Sequence, residues 1–184
     1  MRYTQRGVIQ HDRDRAAKGY TLFVPLLQRS AYLIDMDGHV AHQWDLPGPP
    51  GNYGKLQPNG NLLVSTTDGE GPEGMHARGG LLQEIDWKGA VVWEHRDGFQ
   101  HHDFHRLENG NLMYLSWELM PDDAARRVKG GTPGSEHSAG GIWGDYLREV
   151  DSEGELVWEW RIWKNLNIEN LDYITTNNFN KLFF

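Results

Sequence analysis

The sequence predicts an all-β protein built from β-propeller blades, each made of four antiparallel strands. Aromatic and turn-forming residues are both abundant, because the 184 residues include eight Trp, seven Tyr, six Phe, 22 Gly and 8 Pro. Short aromatic segments separated by glycine turns are typical of β-sheet proteins. Two hairpin motifs also alternate along the chain, and a four-stranded unit that recurs about every 40–50 residues indicates a propeller blade.

The first repeated motif is a turn with Asp three residues before Gly, found at residues 35–38, 86–89 and 151–154. The second, fourth and sixth positions after each Gly share one strand face, because side chains alternate faces along a strand. These positions hold, copy by copy, Val40, His42, Trp44; Val91, Trp93, His95; and Leu156, Trp158, Trp160. We interpret this aromatic face as packing between blades rather than as chemistry.

The second repeated motif is Asn-Gly-Asn, at residues 59–61 and 109–111. Asn-Gly predicts a two-residue hairpin turn in which both residues have positive φ. Combining the two motifs predicts a partial blade over 20–45, a blade over 52–96 and a longer blade over 101–163. The insertion at 120–141 is predicted to be a loop, residues 1–19 an entry arm, and residues 164–184 an atypical tail, with six Asn among residues 165–184 and no Gly or Pro.

Composition excludes several classes of function. The net charge of -8 argues against binding to nucleic acid, which requires clustered Lys and Arg. The absence of Cys excludes disulfides, thiolate metal sites and a cysteine nucleophile. The N-terminus does not read as a secretory signal, and no run approaches the ~20 apolar residues of a membrane span. The chain as given is therefore expected to be cytoplasmic, with no membrane partner.

The densest set of reactive side chains is the run QHHDFHRLENGNL at residues 100–112. Strand alternation predicts that His101, Asp103 and His105 share one face, whereas His102 and Phe104 point to the other. Three interpretations are open: the histidines line a substrate channel, they are structural and satisfied by neighbouring blades, or His101, Asp103 and His105 hold a divalent metal ion.

Three runs together resemble the bacterial arylsulfotransferase (ASST) family over roughly residues 19–163: YLIDMDGHVAHQWDLPGPPGNYGKLQPNGNLLVST, GGLLQEIDWKGAVVWEHRDGFQHHDFHRLENGNLMYL and GGIWGDYLREVDSEGELVWEW. The resemblance implies a six-bladed propeller, of which this chain holds about two and a half to three blades and so cannot close the ring. It implies sulfuryl transfer from a phenolic sulfate to a phenol through a sulfated histidine, without PAPS or another cofactor. No phosphate-cradling glycine loop is present, which agrees.

The resemblance also implies roles for residues of this run. His102 would donate to the sulfate, Asp103 would fix the tautomer of His102, and His105 would complete the catalytic group. The substrate-binding candidates are His101, Arg106 and Arg78. The guanidinium groups of the two arginines suit sulfate oxygens.

This chain departs from the family's pattern. The family's nucleophilic histidine lies in a later blade, and its members are often periplasmic or exported. The 184-residue chain alone is therefore expected to be inactive, and the alternative is a non-catalytic propeller-type binding or scaffold fragment. Exposed blade edges are expected to favour self-association.

Overall fold

The computed structural model describes residues 7–68, 77–128 and 141–166. The regular structure of these residues consists of eleven strands and two one-turn helices, which confirms the all-β prediction. The elements are β1 (Thr21–Phe23), β2 (Ser30–Ile34), β3 (Val40–Asp45), β4 (Pro50–Leu56), β5 (Leu62–Thr67), β6 (Gly80–Ile85), β7 (Val91–Arg96), β8 (Gln100–Arg106), β9 (Leu112–Leu119), α1 (Asp122–Ala125), β10 (Trp143–Val150), β11 (Leu156–Arg161) and α2 (Ile162–Asn165). Within the described ranges, no helix is both long and apolar enough to cross a membrane.

The strands form three antiparallel sheets in which sequence neighbours pair with each other. The orders are β1-β2-β3, β4-β5-β6-β7 and β8-β9-β10-β11. None of these sheets closes into a barrel over the residues described, and the arrangement is consistent with partial propeller-like blades. The six-bladed ring itself stays a prediction.

The chain divides into two compact units. One unit comprises Met1–Asp68 and Leu81–Arg96, and so contains the first sheet and almost all of the second. The other comprises Gly69–Gly80 and Asp97–Phe184, and contains the third sheet and both helices.

The repeated Asp stabilises each Asp-x-x-Gly turn through its side chain. Asp86 Oδ1 accepts the backbone N–H groups of Lys88 and Ala90, both at 2.8 Å. Gly89 adopts φ +88°, a left-handed conformation that Gly reaches without the steric cost other residues meet. The turns at Asp35 and Asp151 repeat this pattern, since each carboxylate accepts two backbone N–H groups.

The Asn-Gly-Asn turns differ from the predicted two-residue form. Only Gly110 has positive φ, at +88°, so the prediction for Asn109 was wrong. The Gly110 N–H instead donates to the Leu107 carbonyl at 3.0 Å, and Asn109 Oδ1 accepts the N–H of Asn111. The turn is therefore built from a side-chain hydrogen bond and one left-handed Gly, a combination that leaves Asn109 unstrained.

Hydrogen bonds are also formed by described residues outside the sheets. The insertion predicted as a loop contains α1, in which the Ala125 N–H donates to the Pro121 carbonyl at 2.9 Å. Along the entry arm, Arg13 donates to Asp37 at 2.7 Å. Residues 129–140 of the insertion and 167–184 of the tail lie outside the described residues.

Candidate functional site

The histidine run forms a β-bulge rather than a regular strand. His101 pairs with Leu115 and Phe104 pairs with Tyr114, so two extra residues, 102 and 103, intervene on β8. His102 has φ +48°, which is uncommon for a residue other than Gly. A bulge re-aims the side chains that follow it.

This bulge overturns the predicted common face. His101 is only 1% exposed and Phe104 is equally buried, so these two residues face inward. Asp103 and His105 are exposed, and His102 is half-buried. The prediction that His101, Asp103 and His105 share a face was wrong, because the two extra residues break the alternation between positions 101 and 104.

A neighbouring segment holds the bulge in place. The Gly79 N–H donates to the Gln100 carbonyl at 2.9 Å, and the His102 N–H donates to the Ala77 carbonyl at 3.1 Å. Between them, Arg78 and His101 form an isolated antiparallel bridge. The structure thus brings Arg78, a predicted substrate-binding residue, beside the histidines.

The two histidines contact each other and two residues from other strands. The Nδ1 atoms of His101 and His102 lie 2.9 Å apart, and the rings meet edge to face. The His101 ring stacks on Trp117, with centroids 4.1 Å apart and planes 12° from parallel. His101 Nε2 lies 3.5 Å from Oδ1 of Asp145, whose side chain is 10% exposed. Trp117 and Asp145 are directly paired across β9 and β10, which sets their spacing.

The contacts around His101 suit one arrangement of protons. The Asp145 carboxylate lies 3.5 Å from His101 Nε2, a distance at which its negative charge favours a proton on that nitrogen without forming a hydrogen bond. With His101 neutral and protonated on Nε2, its Nδ1 is the acceptor of the 2.9 Å contact and His102 Nδ1 is the donor.

Electrostatics keep His102 uncharged. Burial lowers the pKa of His102 below its ordinary value of 6.5, and neighbouring His101 lowers it further, whereas the negative charge of Asp145 opposes both effects. At neutral pH His102 is therefore a neutral imidazole, the form that acts as a base or a nucleophile.

The remaining predicted residues lie elsewhere on β8. Asp103 Oδ1 accepts the Phe104 N–H at 2.7 Å, and His105 is paired with Met113. The Arg106 guanidinium donates to the Gly110 carbonyl at 3.2 Å, which places it at the hairpin turn. Asp145 approaches the histidine pair at His101, and the role of Asp103 in fixing the His102 tautomer stays a prediction.

The alternative metal site is not assembled either. Over the residues that the structure describes, no three His, Cys, Asp or Glu side chains are grouped closely enough to hold a metal ion. The proposed ligand set fails because His101 is buried while Asp103 and His105 are exposed.

A second polar cluster lies in the same sheet, around Asp97. Its Oδ2 atom accepts hydrogen bonds from the hydroxyls of Tyr114 and Ser116, at 3.2 and 3.1 Å, and from Arg148 Nη1 at 3.0 Å. Burial, and then the charge of Asp97, raises the pKa of the Tyr114 phenol, so it remains protonated and donating. With three donors on one oxygen, Asp97 ties β9 and β10 to the start of β8.

Comparisons with known proteins leave the function open. No family model and no curated protein matches the chain. A crystal structure of a protein of unknown function from Bacteroides caccae is similar, with 17% sequence identity and a TM-score of 0.48. The match covers 86% of this chain and 50% of that protein, so this chain spans about half of its length.

Proposed function

We propose that this chain is part of a propeller that transfers a sulfuryl group from a phenolic sulfate to a phenol, and that Nε2 of His102 attacks the sulfur. The observation that carries the proposal is the series of contacts from Asp145 to His101 to His102, which places a half-buried imidazole of lowered pKa beside a histidine that a carboxylate approaches. The resemblance of residues 19–163 to the arylsulfotransferase family supports the reaction class, whereas the choice of His102 as nucleophile rests on the geometry of this chain, since the family carries its nucleophile in a later blade.

The chemistry balances at these atoms. The Nε2 lone pair forms an N–S bond while the bond from sulfur to the aryl oxygen breaks, and the phenolate leaves with that electron pair and takes a proton from solvent. The acceptor phenol then loses its proton, its oxygen bonds to sulfur, and the N–S bond breaks. His102 keeps its Nδ1 proton throughout, so the sulfated ring is cationic between the two steps.

The neighbours of His102 suit this intermediate. The 2.9 Å contact between the Nδ1 atoms and the edge-to-face packing against His101 fix the orientation of the His102 ring. Asp145, 3.5 Å beyond on the far side of His101, offsets the positive charge. Arg78, whose backbone pairs with His101, would bind the sulfonate oxygens through its guanidinium group.

A stoichiometric reaction tests this role without requiring turnover. The chain is mixed with 4-nitrophenyl sulfate, nitrophenol is followed by absorbance, and the intact protein is weighed by mass spectrometry. We expect at most one nitrophenol per chain and a mass gain of one sulfuryl group mapped to His102.

The control is an exposed histidine on the same strand. His105→Asn should behave like the parent chain, whereas His102→Asn should give neither nitrophenol nor added mass. Binding of 4-nitrophenyl sulfate without nitrophenol release would overturn the catalytic role and favour the non-catalytic binding alternative. Sulfuryl label on His105 would also contradict the assignment.

A further inference from the structure

We infer that the aromatic face of β11, formed by Leu156, Trp158 and Trp160, is a docking surface for a β-hairpin whose turn reads Asp-aromatic-x-Gly. This inference concerns the outer strand of the third sheet and does not depend on sulfuryl transfer.

The first sheet shows how the equivalent face is covered. Trp44, on β3, is 1% exposed, and its Nε1 donates to the Asp86 carbonyl at 3.0 Å. His42 stacks on Trp87 with ring centroids 3.9 Å apart, and Trp44 meets Trp87 edge to face at 5.4 Å. The aromatic face of β3 thus receives the Asp-Trp-Lys-Gly turn between β6 and β7.

The register makes the two faces equivalent. His42 pairs with Leu33 and Trp44 pairs with Ala31, with an irregularity just before the turn. Trp158 pairs with Glu149 and Trp160 with Leu147, with the irregularity in the same place. Both strands therefore present the fourth and sixth residues after the turn Gly on the corresponding face.

The face on β11 has side chains of the same kinds as the face on β3, but it is less completely covered. Trp160 supplies an indole N–H where Trp44 has one, and Trp158 supplies a flat ring where His42 has one. Trp160 is only partly buried, in contrast to its counterpart Trp44, which is 1% exposed, and Trp158 is 43% exposed, whereas its counterpart His42 is partly buried. Trp is among the residues that most often carry binding energy at protein interfaces. The β3 contact identifies the occupant as an aromatic turn with a carbonyl acceptor.

A hairpin taken from this chain provides the probe. Residues 80–96, made as a peptide closed by a terminal disulfide and checked for strand content by circular dichroism, are titrated into the full chain by calorimetry. We expect saturable binding to the parent chain. Trp87→Ala in the peptide should weaken the Kd by about tenfold or more, because the stacking ring is lost.

Variants of the chain test the location. Trp158→Ala and Trp160→Leu should each weaken the Kd by about tenfold, while Val157→Ala, on the opposite face of β11 and 54% exposed, should leave it unchanged. No binding of the folded hairpin, or equal binding by the Trp160→Leu chain, would overturn the inference. Self-association of the chain that Trp158→Ala abolishes would also overturn it, since a second copy would then be the occupant.

Discussion

The Asn111 side chain donates from Nδ2 to Glu149 Oε1 at 2.7 Å, joining the turn after β8 to the strand two places along the sheet. The same bond, also at 2.7 Å, joins Asn61 to Glu84 in the second sheet. This hydrogen bond links the two sequence motifs. In the second and third sheets, the second Asn of the Asn-Gly-Asn turn binds a Glu that stands two residues before the next turn Asp. The first sheet contains no such hairpin, and Leu33 occupies the position of Glu.

Removing this carboxylate should destabilise the third sheet. Glu149→Ala should lower the free energy of unfolding by about 1–3 kcal/mol, because a half-buried amide loses a charged acceptor. Glu149→Gln should lose less, since it keeps an oxygen acceptor. Urea denaturation followed by circular dichroism measures both, with exposed Glu153→Ala as the control. Equal stability of the Ala variants at positions 149 and 153 would refute a structural role for the bond.

The turn Asp should matter through its two backbone contacts. Asp151 Oδ1 accepts the N–H groups of Glu153 and Glu155 at 3.0 and 2.9 Å. Asp151→Ala should cost about 1–2 kcal/mol of stability, whereas Asp151→Asn retains the acceptor and should cost less than half as much. Thermal and urea unfolding of the two variants, compared at one pH, checks the order. Indistinguishable variants would show that Gly154 alone sets the turn.

Acidification should weaken the fold through His102. Its pKa is lower in the folded chain than the ordinary value of 6.5, so below that pH the unfolded chain binds more protons. The contribution of His102 to stability is therefore present above about pH 6.5 and is lost as the pH falls toward the folded pKa. Unfolding free energies at pH 7.5 and 5.5 should differ more in the parent chain than in His102→Asn. Asn is chosen because it tolerates positive φ.

Two substitutions should shift the His102 pKa in opposite directions. His101→Gln should raise it, because a neighbour that disfavours the cation is removed, and Asp145→Asn should lower it, because a stabilising anion is removed. Proton-carbon correlation NMR of the imidazole resonances across pH 4–8 reports both titrations. Shifts of the same sign in the two variants would contradict the arrangement of charges around the pair.

The repeats predicted the sheets well because the Asp that stabilises each turn lies within the repeated motif itself. Asp35, Asp86 and Asp151 act within five residues, and alternation of faces holds wherever the strand is regular. Local spacing failed at His101–Phe104, because a bulge depends on the neighbouring segment around Arg78 and cannot be read from residues 100–106 alone. Asp145 was missed for a similar reason: its approach to His101 requires the register of β10 on β9.

The bulge on β8 places residues 102 and 103 outside the regular pairing with β9. Phe104 pairs with Tyr114 after the irregularity, so core packing resumes independently of which side chains occupy positions 102 and 103. A combinatorial library at these two positions could therefore vary the side chains of the bulge while keeping the inward face unchanged. The backbone at position 102 constrains such a library, because φ +48° favours Asn, Asp, His or Gly. Substitutions at positions 102 and 103 thus fall where the strand pairing depends least on the side chains.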